Sequence, residues 1–271
     1  MGSKESTLQR ITASGIVAII RTNDSSALVE VCRALCDGGV RAIEITLTVP
    51  GALDILRAAA EALADREFVL GAGTVREPAA AEQAVVAGAP FIVAPTLNVE
   101  TVGWCNANSV PVMPGALTPT EIETAWQAGA DVVKVFPASI GGPQYFRDLR
   151  GPLPEVKLMP TGNVNAEFAP AYIAAGAVAV GVGGVLFGDD LIAAKDFAQI
   201  TANATQLVAG AASGGSPSSR AVRRSIQRKT PRRHPRGRSR GCGSLATSRK
   251  ICRRRARQRN GFRRPCCRCA L

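Results

Sequence analysis

Eight short apolar runs, separated by longer amphipathic stretches, constrain this chain more than any other feature. They lie at 16–20, 42–47, 68–70, 91–94, 110–113, 132–136, 156–159 and 178–182. They are rich in Val and Ile and show little strict apolar–polar alternation. That is the pattern of parallel strands covered on both faces. The intervening segments carry helix signals. The stretch 25–35 runs into Gly38-Gly39, 77–86 ends before Gly88, and 166–175 ends at Gly176. Further helices are expected over 51–64 and 186–207. Thr118-Pro119-Thr120-Glu121 supplies a capping hydroxyl, a proline at the first helical position and a glutamate at the third. Eight βα units within about 210 residues fit the small end of the (β/α)8 TIM-type barrel. No Gly-x-Gly-x-x-Gly turn follows the first run, which argues against an open doubly wound sheet.

Charge divides the chain. All 21 acidic residues precede Arg220, whereas 20 of the 33 Lys and Arg lie at or beyond it. The net charge of +12 therefore belongs to the tail, and the first part is acidic. Residues 1–212 are expected to form the barrel. Residues 213–271 are expected to be a linker followed by a disordered, Arg- and Cys-rich tail, which lacks the apolar content to fold alone. A tail of this kind is expected to bind nucleic acid only non-specifically. Cys266-Cys267-Arg268-Cys269 lacks a metal-site spacing. Three scattered cysteines in the first part (Cys32, Cys36 and Cys105) fit a reducing, cytoplasmic setting. No apolar run reaches the length of a membrane span, and no signal peptide is recognised.

The single histidine, His234, is in the tail. Acid–base chemistry in the first part must use carboxylates, lysines, hydroxyls or water, and a histidine-ligated zinc site is excluded. No metal and no cofactor are expected. Lys134 stands inside the apolar run Val132-Val133-Lys134-Val135-Phe136. Burial favours the neutral amine of a lysine, the form that attacks a ketone. Lys4, Lys157 and Lys195, the other lysines before the tail, lie before the barrel, at a strand start and in the last helix. Glu44 is a second ionisable group inside an apolar run and shares one strand face with Thr46 and Thr48. It is the natural proton shuttle; an ion pair with Lys134 would leave the same trace. Arg21 ends the first run and is a candidate carboxylate clamp. Three strand ends are glycine-rich: Gly71-Ala72-Gly73-Thr74 follows the third run, Pro160-Thr161-Gly162-Asn163 follows the seventh, and Gly181-Val182-Gly183-Gly184 closes the eighth. The last two stand where barrels of this type bind phosphate through backbone N–H groups.

Five motifs occur in order: Ile43-Glu44-Ile45-Thr46-Leu47-Thr48-Val49-Pro50, Gly71-Ala72-Gly73-Thr74-Val75, Met113-Pro114-Gly115, Lys134-Val135-Phe136-Pro137-Ala138 and Pro160-Thr161-Gly162. Together they closely resemble the 2-keto-3-deoxy-6-phosphogluconate (KDPG) / 4-hydroxy-2-oxoglutarate (KHG) aldolase family, over about residues 15–207. The resemblance implies a class I, metal-independent aldolase, usually a homotrimer, acting on a small keto acid. It implies Lys134 as the Schiff-base lysine and Glu44 as the acid–base residue. It places Thr74, Thr161 and Arg21 at the carboxylate and keto end, with Phe136 packed beside them. Gly162, Asn163, Gly183 and Gly184 would lie near the phosphate. Three positions depart from the common family pattern: Thr48 replaces an arginine, Asn163 a glycine and Gly184 a serine. The competing readings are the galactonate epimer or KHG as substrate, a phosphate-binding synthase barrel, a trimeric assembly scaffold, and a tail-driven nucleic-acid binder.

Overall fold

A computed structural model describes residues 3–213. The chain divides into two units, 1–230 and 231–271, and every described residue belongs to the first. The expected tail lies, apart from Ser213, outside the described residues.

Nine short strands occur among the described residues: β1 (Ile16–Ile20), β2 (Ala42–Thr46), β3 (Val69–Gly73), β4 (Ile92–Val93), β5 (Val112–Met113), β6 (Gly115–Ala116), β7 (Val133–Val135), β8 (Leu158–Pro160) and β9 (Val180–Val182). The fifth expected strand is continued past Pro114 as β6. Proline has no N–H for a ladder, so the strand breaks there into two pieces. The helices are α1 (Lys4–Ser14), α2 (Leu28–Asp37), α3 (Ala52–Ala62), α4 (Pro78–Val86), α5 (Val99–Ala107), α6 (Pro119–Gln127), α7 (Gly142–Leu149), α8 (Ala169–Ala174), α9 (Asp189–Ala193) and α10 (Phe197–Ser213). The single helix expected over 186–207 is two, because Lys195 adopts a left-handed φ of 55° between them.

All strand pairs are parallel. One sheet has the order β5-β4-β3-β2-β1-β9 and the other β6-β7-β8. A parallel bridge from Thr161 to Gly181 links the end of β8 to β9. The result is an α/β fold with a curled parallel sheet and helices outside it, in the manner of a TIM-like fold.

Side chains split by the period of two into two apolar clusters. Ile43, Ile45, Leu70, Ala72, Val133 and Val135 pack outward against the helices. Val17, Ile19, Val69, Phe91, Val93, Met113 and Met159 pack on the other face. Ile11 of α1 joins this inner cluster, with Leu8 packed against it. The helix therefore closes the amino-terminal end. Lys4 fastens it there through Asp131 (2.9 Å) and Asn106 (2.8 Å). Glu44 and Lys134 alternate with outward-facing neighbours, which places both on the inner face, above that apolar floor.

Candidate active site

Lys134 is 3 % exposed and sits in the middle of β7. It stands opposite Gly115 of β6 and Met159 of β8. Among the described residues no hydrogen bond or ion pair holds its Nζ. The Nζ lies 5.5 Å from the centroid of the Phe136 ring, two residues along the same strand face. The amine is thus screened from water but not tied to a partner.

Glu44 is fully buried in β2, opposite Ile19 and Gly71. Neither carboxylate oxygen has a hydrogen-bond partner. Burial raises its pKa above 4.5, and the positive charges of Lys134 and Arg21 pull it part of the way back. No contact of ion-pair length joins Glu44 to Lys134, so the two act on each other through space. A buried carboxyl without a partner costs stability, which a purely structural role would not explain. Room for it comes from Gly73, where a Cβ would collide with the Glu44 carboxylate. Gly71 does the same for the Phe91 ring and Gly181 for the Thr161 hydroxyl. Gly71 and Gly73 lie within β3, past the end of the run expected at 68–70, and Gly181 lies within β9, inside the run expected at 178–182.

A cleft of about 1070 Å³ opens above this pair at the carboxyl ends of the strands. Arg21, Thr74, Lys134, Phe136 and Thr161 line it, as do Gly162, Asn163, Gly183 and Gly184. Every site residue expected from sequence therefore lines one cavity, except Glu44, which is fully buried and is not among its lining residues. Arg21 donates from Nη2 to the Thr74 hydroxyl at 3.1 Å. Thr74 holds a left-handed φ of 58°, unusual for a β-branched residue. Such strain costs on the order of 1–3 kcal/mol and gathers at functional sites. The Thr161 hydroxyl is buried without a partner. Gly162 (φ 100°) and Asn163 (φ 54°) turn the chain after β8. Gly183 and Gly184 begin the turn after β9, which the Leu186 N–H closes on the Gly183 carbonyl at 3.0 Å.

Sequence reasoning missed Arg76 and Glu77, which also line the cleft. They stand just past Thr74, in the same strand-end position that drew attention to the glycine turns. A charge in a polar loop carries no such signal as a charge in an apolar strand.

No helix among the described residues is long and apolar enough to cross a membrane. Residues 8–203 match the family model described as KDPG and KHG aldolase. The chain is 36 % identical over 200 residues to a 2-dehydro-3-deoxy-phosphogluconate aldolase of Treponema pallidum (strain Nichols), covering 73 % of this chain and 93 % of the relative. It is 32 % identical over 181 residues to a 2-dehydro-3-deoxy-6-phosphogalactonate aldolase of Escherichia coli (strain K12), covering 66 % and 88 %. A KDPG aldolase from Legionella pneumophila, solved with pyruvate captured at low pH as a covalent carbinolamine intermediate, superposes with a TM-score of 0.69 at 25 % identity, over 76 % of this chain and 98 % of that one. On these matches and the site that accompanies them, the chain belongs to the KDPG and KHG aldolase family and is an aldolase.

Proposed function

We propose that this aldolase cleaves 2-keto-3-deoxy-6-phosphogluconate to pyruvate and glyceraldehyde 3-phosphate through a Schiff base on Lys134. The observation that carries the reading is a buried, unbonded Lys134 amine facing the cleft above a buried, unpartnered Glu44.

The Lys134 amine attacks the C2 ketone and forms a carbinolamine. Glu44 gives a proton to the departing hydroxyl, water leaves, and a protonated imine remains. Glu44, now a carboxylate, takes the C4 hydroxyl proton, directly or through water. The C3–C4 electron pair flows into the imine, which releases the aldehyde and leaves an enamine. Protonation at C3 and hydrolysis return pyruvate and the free amine. Arg21, Thr74 and Thr161 hold the carboxylate and keto end, with Phe136 packed against the amine. The backbone at Gly162, Asn163, Gly183 and Gly184 faces the phosphate end.

A second substrate reading is the galactonate epimer or KHG. Gly184 supports KHG, the unphosphorylated of the two, because the position carries no side chain and has open space around it. A neutral hydrogen bond missing there weakens phosphate binding by about 1 kcal/mol. Comparing kcat/KM for the three substrates tests this directly. The gluconate acid is expected to give the highest value, and a higher value for either rival overturns the assignment. Lys134→Ala is expected to abolish all three activities, whereas retained turnover would favour a phosphate-binding synthase barrel.

The two sheets read as one closed (β/α)8 barrel, since only Pro114 separates β5 from β6 and the Thr161–Gly181 bridge carries β8 onto β9. Residues 1–212 are the proposed catalytic unit, with 213–271 a tail that takes no part in catalysis. A homotrimer is the proposed assembly: Ile140, 70 % exposed, and Phe168, 45 % exposed, are apolar side chains that contact between copies would cover. A solution mass other than three chains overturns that proposal. Three free, buried cysteines among the described residues, Cys32, Cys36 and Cys105, support a cytoplasmic setting.

A further inference from the structure

We infer that Arg76 is a second cation for the carboxylate of the keto acid, acting beside Arg21 and setting the enzyme's affinity for pyruvate-type ligands. This rests on the Schiff-base reading above, and goes beyond it by assigning a residue outside the five motifs.

Three observations place Arg76 there. Thr74 and Arg76 both line the cleft, while Val75 between them is fully buried on the other side. Arg76 therefore rises one step above Thr74, whose hydroxyl accepts the Arg21 hydrogen bond at 3.1 Å. Its backbone is pinned on both sides. The Val75 N–H donates to the Val93 carbonyl at 3.1 Å, and the Arg76 carbonyl accepts from Asn98 Nδ2 at 3.0 Å. The loop is set, but the guanidinium itself has no ion pair or hydrogen bond among the described residues. An arginine held at the mouth of a cleft with all its donors free is available to an anion.

The carboxylate end fits this anion better than the phosphate end. Thr48, Thr74 and Arg76 follow β2 and β3, and Arg21 follows β1, which pairs with β2 on one side and β9 on the other. The glycine turns come from β8 and β9. Thr48, which also lines the cleft, hydrogen-bonds Thr46 at 2.9 Å and brings no charge. Arg21 already spends one nitrogen on Thr74, and a carboxylate has lone pairs for more than one arginine. Glu77, beside Arg76 on the same rim, repels anions.

The test uses the full chain and two variants, Arg76→Met, which keeps an apolar stem, and Arg76→Lys, which keeps a charge. Pyruvate alone is the first probe, since it has the carboxylate and the ketone and nothing else. Its half-saturation is read from borohydride trapping and from deuterium exchange of the methyl group. It is expected to rise about tenfold in Arg76→Met, the effect of one charge-assisted contact at an exposed site, and less in Arg76→Lys. KM for a phosphorylated and an unphosphorylated keto acid should rise by the same factor. An unchanged pyruvate half-saturation overturns the inference, and so does an effect confined to the phosphorylated substrate. If the wild type fails to trap pyruvate at Lys134, the Schiff-base reading has failed instead. If the wild type traps and Arg76→Met saturates like it, only the Arg76 assignment falls.

Discussion

Glu44 shows how the site and the stability of the protein pull against each other. Its carboxyl is buried without a hydrogen bond, and burial raises its pKa above the 4.5 of a free glutamate. The folded-state value therefore exceeds the unfolded one. The stability that Glu44 contributes is fully present below the unfolded value and is lost as pH rises through the folded value. Glu44→Gln removes that titration. The stability of the variant relative to wild type, measured by calorimetry between acid and mildly alkaline pH, is expected to grow as pH rises. In the same variant kcat should fall by about 10²–10⁴, the contribution of a positioned proton-transfer group. Gly73 guards this arrangement. Gly73→Ala drives a methyl into the Glu44 carboxylate. It is expected to cost about 1–3 kcal/mol in denaturant melts and to lower kcat. Lys134 and Glu44 were legible from sequence, because a charge in the middle of a β-branched apolar run has few structural explanations. Arg76 was not legible, because its loop is polar and one more charge there is unremarkable until the cleft is seen.

At the scale of elements, α1 decides how the inner core is sealed. Ile11 is buried among Val17, Val69, Phe91 and Met113, at the end of the strands opposite the cleft. Ile11→Ala is expected to destabilise the fold by about 2–5 kcal/mol, read as a lower denaturation midpoint. KM for the keto acid should stay as it is, because the cavity opens where the strands end rather than where they begin. A rise in KM would mean that α1 shapes the site. This helix left little trace in sequence. It is mostly polar, and its signals are local ones: Ser3 accepting from Ser6 N–H and Gly15 in a left-handed turn. α7 was hidden by Gly142-Pro143, which reads as a turn, although Phe146 and Leu149 bury its inner side. The strands were placed well, because runs of Val and Ile between helices admit few other readings. Their ends were not. Gly71 and Gly73 belong to the β3 ladder, where Gly73 makes room for Glu44, a tertiary reason that no local pattern carries.

At the scale of the molecule, charge is uneven along the sequence, with the basic excess beyond Ser213. Every residue placed at the site lies before residue 185. A chain ending at Ser213 is expected to keep kcat/KM within about twofold of the full chain, since it retains every residue proposed for catalysis and binding. It should also lose retention on an immobilised polyanion in low salt, because 20 of the 33 basic residues lie beyond Ser213. A large loss of activity would show that the tail supports the site. The central claim is covalent chemistry at one lysine, and trapping tests it most directly. The protein is treated with pyruvate and borohydride, digested, and its peptides weighed and fragmented. The account predicts a reduced pyruvate adduct on Lys134 and none on Lys4, Lys157 or Lys195. An adduct on another lysine, or none at saturating pyruvate, would contradict it.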